Sequence, residues 1–250
     1  MNITRLSKIL AAILALFFII VVLTGLTSVD YKDIPALLKN KVFWNAMWFS
    51  LKTATIATVA AFILGVPAGY YMARNKRTMS RIFDAIFDIP VVVPPLIVGV
   101  LLLNFFNTPI MREVGSFIFT TKGAIVAQFF VAVPFTIKAA KNAFELIPPI
   151  YERIAMTLGA SPMRSFFDTT FKIAVPSIVS GLILTWLRCL GEFGATLMVG
   201  GAMPGRTQNI PIFIYMANTG GDFEMAMLAS ILSIIVAFVG VFVVKYLTAK

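Results

Sequence analysis

Long apolar runs alternate with short polar ones along this chain. A helix that crosses a membrane takes about 20 mostly apolar residues at 1.5 Å of rise each. Six runs reach or approach that length: 9–26, 53–73, 89–106, 123–140, 173–203 and 225–244. The second is bracketed by Lys52 and Arg74, and the third carries Pro90, Pro94 and Pro95. The fourth is uncharged until Lys138, the fifth is interrupted by Arg188 and Glu192, and the sixth stops at Lys245. None alternates polar with apolar residues as a lipid-facing barrel strand does. The pattern predicts one all-α integral membrane domain over residues 1–250, with six transmembrane helices.

The polar stretch at 145–172 is punctuated like folded structure. Pro148 and Pro149 precede an apolar-periodic run from Ile150 to Leu158, and proline is tolerated in a first helical turn. Gly159 is placed as a left-handed C-cap. Ser161-Pro162 then reads as a hydroxyl N-cap followed by proline at the first helical position. A second helix over Met163–Phe171 is expected to end near Lys172. Ile150, Ile154 and Leu158 share one face at four-residue spacing. That face must bury against something: the membrane, the inner ends of the spans, or a soluble partner.

Composition narrows the function. Hydrophobic residues make up 59% of the chain and charged residues 13%, against about 25% charged in soluble proteins. With no histidine and a single cysteine, Cys189, an internal disulfide is excluded and no histidine-dependent catalytic triad can form. The same shortage argues against a zinc, haem or iron–sulfur site. The net charge of +10 reads as positive-inside orientation and contact with anionic headgroups, not as nucleic-acid binding. Thirteen cations fall on one side and six on the other when both termini, Lys76, Arg77 and Lys250 included, face the cytoplasm. That orientation is expected, in a multi-pass protein of the cell membrane. Arg5 and Lys8 before an apolar run and then Thr24, Gly25 and Ser28 also fit a cleaved signal peptide, but the run is longer than a signal core. No internal repeat of the kind found in many secondary transporters is visible.

Residues from Glu152 to Pro176 resemble the cytoplasmic coupling loop of ABC-importer permeases, whose pattern is Glu-Ala-Ala, three residues, then Gly. Ala155 and Gly159 carry the match, extended by Ala160, Ser161 and Pro162. Arg153 stands at the family's Glu position with Glu152 one residue early, Ile154 replaces the first Ala, and Lys172 falls where proline is usual. A second block, Gly191-Glu192-Phe193-Gly194-Ala195-Thr196 followed by Met203-Pro204-Gly205-Arg206-Thr207-Gln208-Asn209-Ile210-Pro211, is similar to molybdate and tungstate permeases. Asp88-Ile89-Pro90 with Pro94-Pro95 fits the same family.

The resemblance implies a permease without an ATP site of its own. It implies pairing with a second copy, two cytoplasmic ABC ATPase subunits carrying ATP and Mg²⁺, and an external oxyanion-binding protein. Glu152, Ala155, Gly159, Ala160 and Ser161 become candidates for coupling to the ATPase. The residues agree independently: no Gly-Lys dipeptide occurs, so there is no phosphate loop. Arg188 and Glu192, four apart on one helix face, are either a neutralised structural pair or part of a translocation pathway, with Gly194 and Thr196 beside them. Lys52 and Lys138 read as span-end side chains reaching for water.

The alternatives are a sulfate-branch permease, a secondary transporter, or a membrane enzyme. The last would use Asp84 and Asp88, at i and i+4, to hold Mg²⁺. We read those two instead as interfacial residues near a helix start.

Overall fold

The computed structural model describes residues 3–27, 29, 31–75 and 78–248. Among them no strand occurs, so the chain is all-α. Lys76, Arg77 and Lys250 of the charge count, and Ser28 of the signal-peptide alternative, lie outside the described residues.

The helices run α1 Ile3–Thr27, α2 Ile34–Lys39, α3 Lys41–Arg74, α4 Thr78–Val92, α5 Pro95–Phe106, α6 Pro109–Val114 and α7 Thr121–Glu145. Then follow α8 Ile150–Thr157, α9 Pro162–Ser165, a π-helical turn Phe166–Phe171, α10 Lys172–Leu190, α11 Gly194–Gly200, α12 Ile210–Thr219 and α13 Phe223–Thr248.

α3, α7 and α10 form the central layer. Small residues let α3 approach α7: Ala57, Ala61, Gly65 and Gly69 recur every four residues on one face, and all four are buried. A Cβ at Gly69 would stand 2.7 Å from the Ala140 Cβ and from the Ile137 carbonyl oxygen. Between membrane helices, packing of this kind replaces the hydrophobic drive that lipid cannot supply. α5 and α11 lie together against α7, and α12 packs on α13. α1 touches α13 lightly, and no residue of its apolar stretch is buried. A helix apolar all round belongs in lipid or against another membrane chain.

Three of the expected spans have different limits. α3 starts at Lys41, because the Asn40 side chain caps its first turn by accepting from the Val42 and Phe43 N–H groups. Lys52 therefore sits well inside the helix on an exposed face, not at its end. The run 89–106 is not one straight helix. α4 and α5 meet at a 109° bend, because Pro94, itself followed by a proline, is held extended at φ −53° and ψ 134° and the two prolines remove two N–H donors. The run 173–203 breaks after Leu190, and α11 is a separate helix.

Candidate functional site

The segment between α7 and α10 folds as two short helices around a tight turn. In that turn Ala160 N–H donates to the Ala155 carbonyl and Gly159 N–H to the Met156 carbonyl, both at 3.0 Å. This is the paired pattern of a helix closed by a left-handed residue. Gly159 has φ +90°. The Ser161 side chain accepts from Arg164 N–H and Pro162 opens α9. The second helix does not stop near Lys172. Pro162–Leu190 is continuous, because the six-residue π turn carries the chain into α10 without a break.

α8 is two-faced. Ile150, Tyr151, Ile154 and Met156 are exposed, and Leu158 in the following turn is 83% exposed. Ala155 and Ala160 are half-buried at the turn. Glu152 points the other way, into the bundle. Its Oε1 accepts from Arg74 at 3.0 Å and from the Thr170 hydroxyl at 2.6 Å, and its Oε2 accepts from the Tyr70 hydroxyl at 3.0 Å. Arg74 also donates to the Ile147 carbonyl at 2.8 Å and the Phe144 carbonyl at 3.3 Å. Burial alone would push the Glu152 carboxyl up. Hydrogen bonds from Thr170, Tyr70 and Arg74, together with the Arg74 charge, outweigh that and hold it below the ordinary glutamate range. The rings of Tyr70, Phe144, Phe166 and Phe171 pack around this cluster.

At the far end of α10 lies a second polar centre. Arg188 donates to Glu192 Oε2 at 2.6 Å, and the Glu192 side chain is 1% exposed. The other carboxylate oxygen accepts from Ala195 N–H at 2.8 Å, capping the start of α11. The Glu192 carbonyl accepts from the Asn209 amide at 2.6 Å. Asn209 in turn caps α12 through Ile212 N–H, and the neighbouring Ile210 N–H donates to Ser50 of α3. One residue thus joins α10, α11 and α12. Gly194 is required by close approach, since a Cβ there would lie 2.8 Å from the Leu96 backbone nitrogen. Thr196 is fully buried one turn on, and its hydroxyl is not among the partners of Glu192. Arg188 lies in the last turn of α10, where the helix dipole favours a cation, not in the middle of a long span.

Asp84 and Asp88 face α7. Asp84 pairs with Lys141 at 2.7 Å and Asp88 with Lys138. This corrects two expectations. The aspartates lie in the middle and second half of α4 and not at its start, and Lys138 is neutralised by a partner helix instead of reaching for water. Among the described residues no group of three metal-ligating side chains gathers.

The residues that sequence reasoning missed are Arg74, Tyr70 and Thr170 around Glu152, and Asn209 and Ser50 around Glu192. Arg74 looked like one more span-end cation. The only available hint was that Glu152 falls one position off the coupling-loop pattern.

Residues 65–250 match the family described as binding-protein-dependent transport system inner membrane component. The molybdate/tungstate transport system permease protein WtpB of Pyrococcus abyssi is 34% identical over 201 residues, which cover 80% of this chain and 77% of that protein. The molybdenum transport system permease protein ModB of Mycobacterium bovis is 32% identical over 237 residues, 91% of this chain and 89% of that one. In three dimensions the chain is similar to a bacterial ABC transporter involved in the import of the acidic polysaccharide alginate. The TM-score is 0.78 at 16% identity, over 97% of this chain and 96% of the other, a likeness of fold alone.

Proposed function

The chain belongs to the family of inner-membrane components of binding-protein-dependent transport systems, and on that premise we propose that it is the permease through which molybdate or tungstate is imported. It is a transport subunit of the ABC-importer class and resides in the membrane. Two copies pair to line one pathway. Two cytoplasmic ATPase subunits, which bind the ATP and Mg²⁺, dock on α8, and an external binding protein delivers the anion. This chain binds no cofactor, and its termini face the cytoplasm.

α8 is the observation that carries the reading. Its inner side is held by Glu152, while Ile150 and Ile154, with Leu158 just beyond, stand uncovered. A short helix fixed on one face and apolar on the other is built to meet a partner. The naming of the relatives supports the choice of anion. Molybdate and tungstate are tetrahedral, doubly charged and nearly equal in size, so the pore has no basis for separating them. Selection against sulfate falls to the binding protein, which can enclose the anion with many donors, whereas a pore that did so would not release it.

The test is uptake into vesicles that hold the permease and its ATPase, with binding protein outside. Molybdate and tungstate should compete, and a large excess of sulfate should leave uptake unchanged. Efficient sulfate uptake would place the chain in the sulfate branch. Uptake independent of ATP would remove the ABC reading.

A further inference from the structure

α8 buries none of its residues fully. The apolar contact that ordinarily fixes a helix to a core is therefore largely missing, and polar contacts replace it. Short non-helical links join α8 to α7 and α9. On one side lies Ile147-Pro148-Pro149, and on the other the Gly159 turn, around which a side chain would meet nothing within 4 Å.

The firm attachment is Glu152. Its carboxylate gathers donors from α3 (Tyr70 and Arg74) and from the π turn (Thr170), and its carbonyl accepts from the Ser165 hydroxyl at 2.7 Å. Arg74 extends the same network to the Phe144 carbonyl of α7 and the Ile147 carbonyl just beyond that helix. The Arg74 and Glu152 side chains are each 16% exposed, which shields the pair from water and from screening by salt.

We infer that Glu152, Arg74, Tyr70 and Thr170 are positioning residues that make α8 move as one body with the end of α3 and the head of α10. The inference rests on the proposal that α8 receives the ATPase. A push on α8 then shifts the membrane helices directly through this network. Glu152 acts through α3 and α10 and not by touching the ATPase, which revises the role first expected of it. The outward face that meets the partner is Ile150, Ile154 and Leu158.

The experiment uses the permease–ATPase complex in nanodiscs. Cys189, the single native cysteine, is buried, so spin labels can be placed on cysteines introduced at Thr157 and Leu64, both exposed. The Thr157–Leu64 distance in the wild type should stay constant between nucleotide-free and ATP-bound states. In Glu152→Ala it should change or broaden with ATP. Anion delivered per ATP should fall about tenfold, the factor equivalent to one charged hydrogen bond, while ATPase binding stays within about twofold, since the docking face is intact.

Tyr70→Phe and Thr170→Val each remove one hydroxyl and should give graded losses of the same kind, which keeps the test open should Glu152→Ala fold poorly. Glu152→Gln should recover part of the coupling. Normal anion delivery per ATP in Glu152→Ala and in both hydroxyl variants would overturn the inference, as would a wild-type distance that already changes with ATP. Failure of the ATPase to bind the wild-type permease would instead overturn the coupling reading beneath it.

Discussion

Replacing Arg188 and Glu192 singly and together separates a structural lock from a conduction site. Arg188→Leu leaves the Glu192 carboxylate, 1% exposed, with Ala195 N–H as its remaining side-chain hydrogen bond. Removing one partner of a buried pair costs about 3–5 kcal/mol. Glu192→Leu is milder. Arg188 is 29% exposed and can turn toward water or headgroups, so the main loss is the unmet Ala195 N–H, about 1–3 kcal/mol. The double Leu variant has no stranded charge and retains only that second loss. The pair should therefore show a coupling of about 3–5 kcal/mol, the whole of the first loss, far above the scatter expected of independent sites. Glu192→Gln keeps one acceptor oxygen and turns the other into an NH2 donor, so either the Arg188 or the Ala195 hydrogen bond is lost, at a cost of about 1–3 kcal/mol. The assay is unfolding in mixed micelles of rising SDS fraction, followed by tryptophan fluorescence, to which Trp186 on α10 contributes. Losses that simply add would show that the two side chains do not support each other. A double variant as stable as expected that transports nothing would place the pair on the pathway.

Other consequences follow from single contacts. Gly159→Asp should leave the protein in the membrane but weaken ATPase binding in a pull-down, because φ +90° costs a side chain about 1 kcal/mol or more in the turn beside the docking face; normal binding together with normal uptake would be the contrary result. The Glu152 carboxyl lies below its ordinary value of 4.5, so its stabilisation is complete above that pH and is lost as pH falls through the lowered value. Spectra of labels on α8 should be constant from neutral pH down to that range and change only below it, and Glu152→Gln should abolish the change. Asp84→Asn should lower stability by less than about 1 kcal/mol, as half-exposed ion pairs do. Chelation of Mg²⁺ should leave the melting of the isolated permease unaltered, whereas a clear drop would revive the metal reading of Asp84 and Asp88.

The apolar runs made the spans legible because lipid imposes both length and composition. The two-helix segment after α7 was legible because its stops are local: two prolines, Gly159 and a Ser-Pro cap act within a turn of themselves. What sequence reasoning mislocated depends on backbone competition inside an apolar run. Gly191, Gly194, Gly200 and Gly201 lie within eleven residues, a density that lowers helix propensity sharply. Yet the hydropathy of 173–203 is that of one span, and the break falls between Gly191 at the end of α10 and Gly194, where Glu192 accepts from Ala195 N–H. The Pro94-Pro95 bend was written in the chain, but its angle follows from α5 packing on α11. Side-chain partners were the least legible. Asp84 and Lys141, or Arg74 and Glu152, lie 57 and 78 residues apart and meet only because α4 packs on α7 and α8 folds back beside the end of α3.

The continuous helical limb from Pro162 to Leu190 is held at both ends by a buried or part-buried carboxylate that lies outside it. Glu152 binds Thr170 at its head, and Glu192 binds Arg188 at its tail. Each carboxylate also binds the next element, Glu152 reaching α3 and Glu192 reaching α11. A helix tied only by apolar contact between membrane segments can slide or rotate at little cost, because lipid offers its side chains an equal environment. Charge-assisted hydrogen bonds are directional and lose strength over a fraction of an ångström. Fixing both ends with them confines the limb to a small number of discrete positions. The Gly191–Phe193 break beside Glu192 is where a change between such positions meets the least resistance, whereas the π turn is held to Glu152 by Thr170. A limb anchored at both ends carries a displacement of one end to the other, which is what the proposed coupling of α8 to the pathway needs.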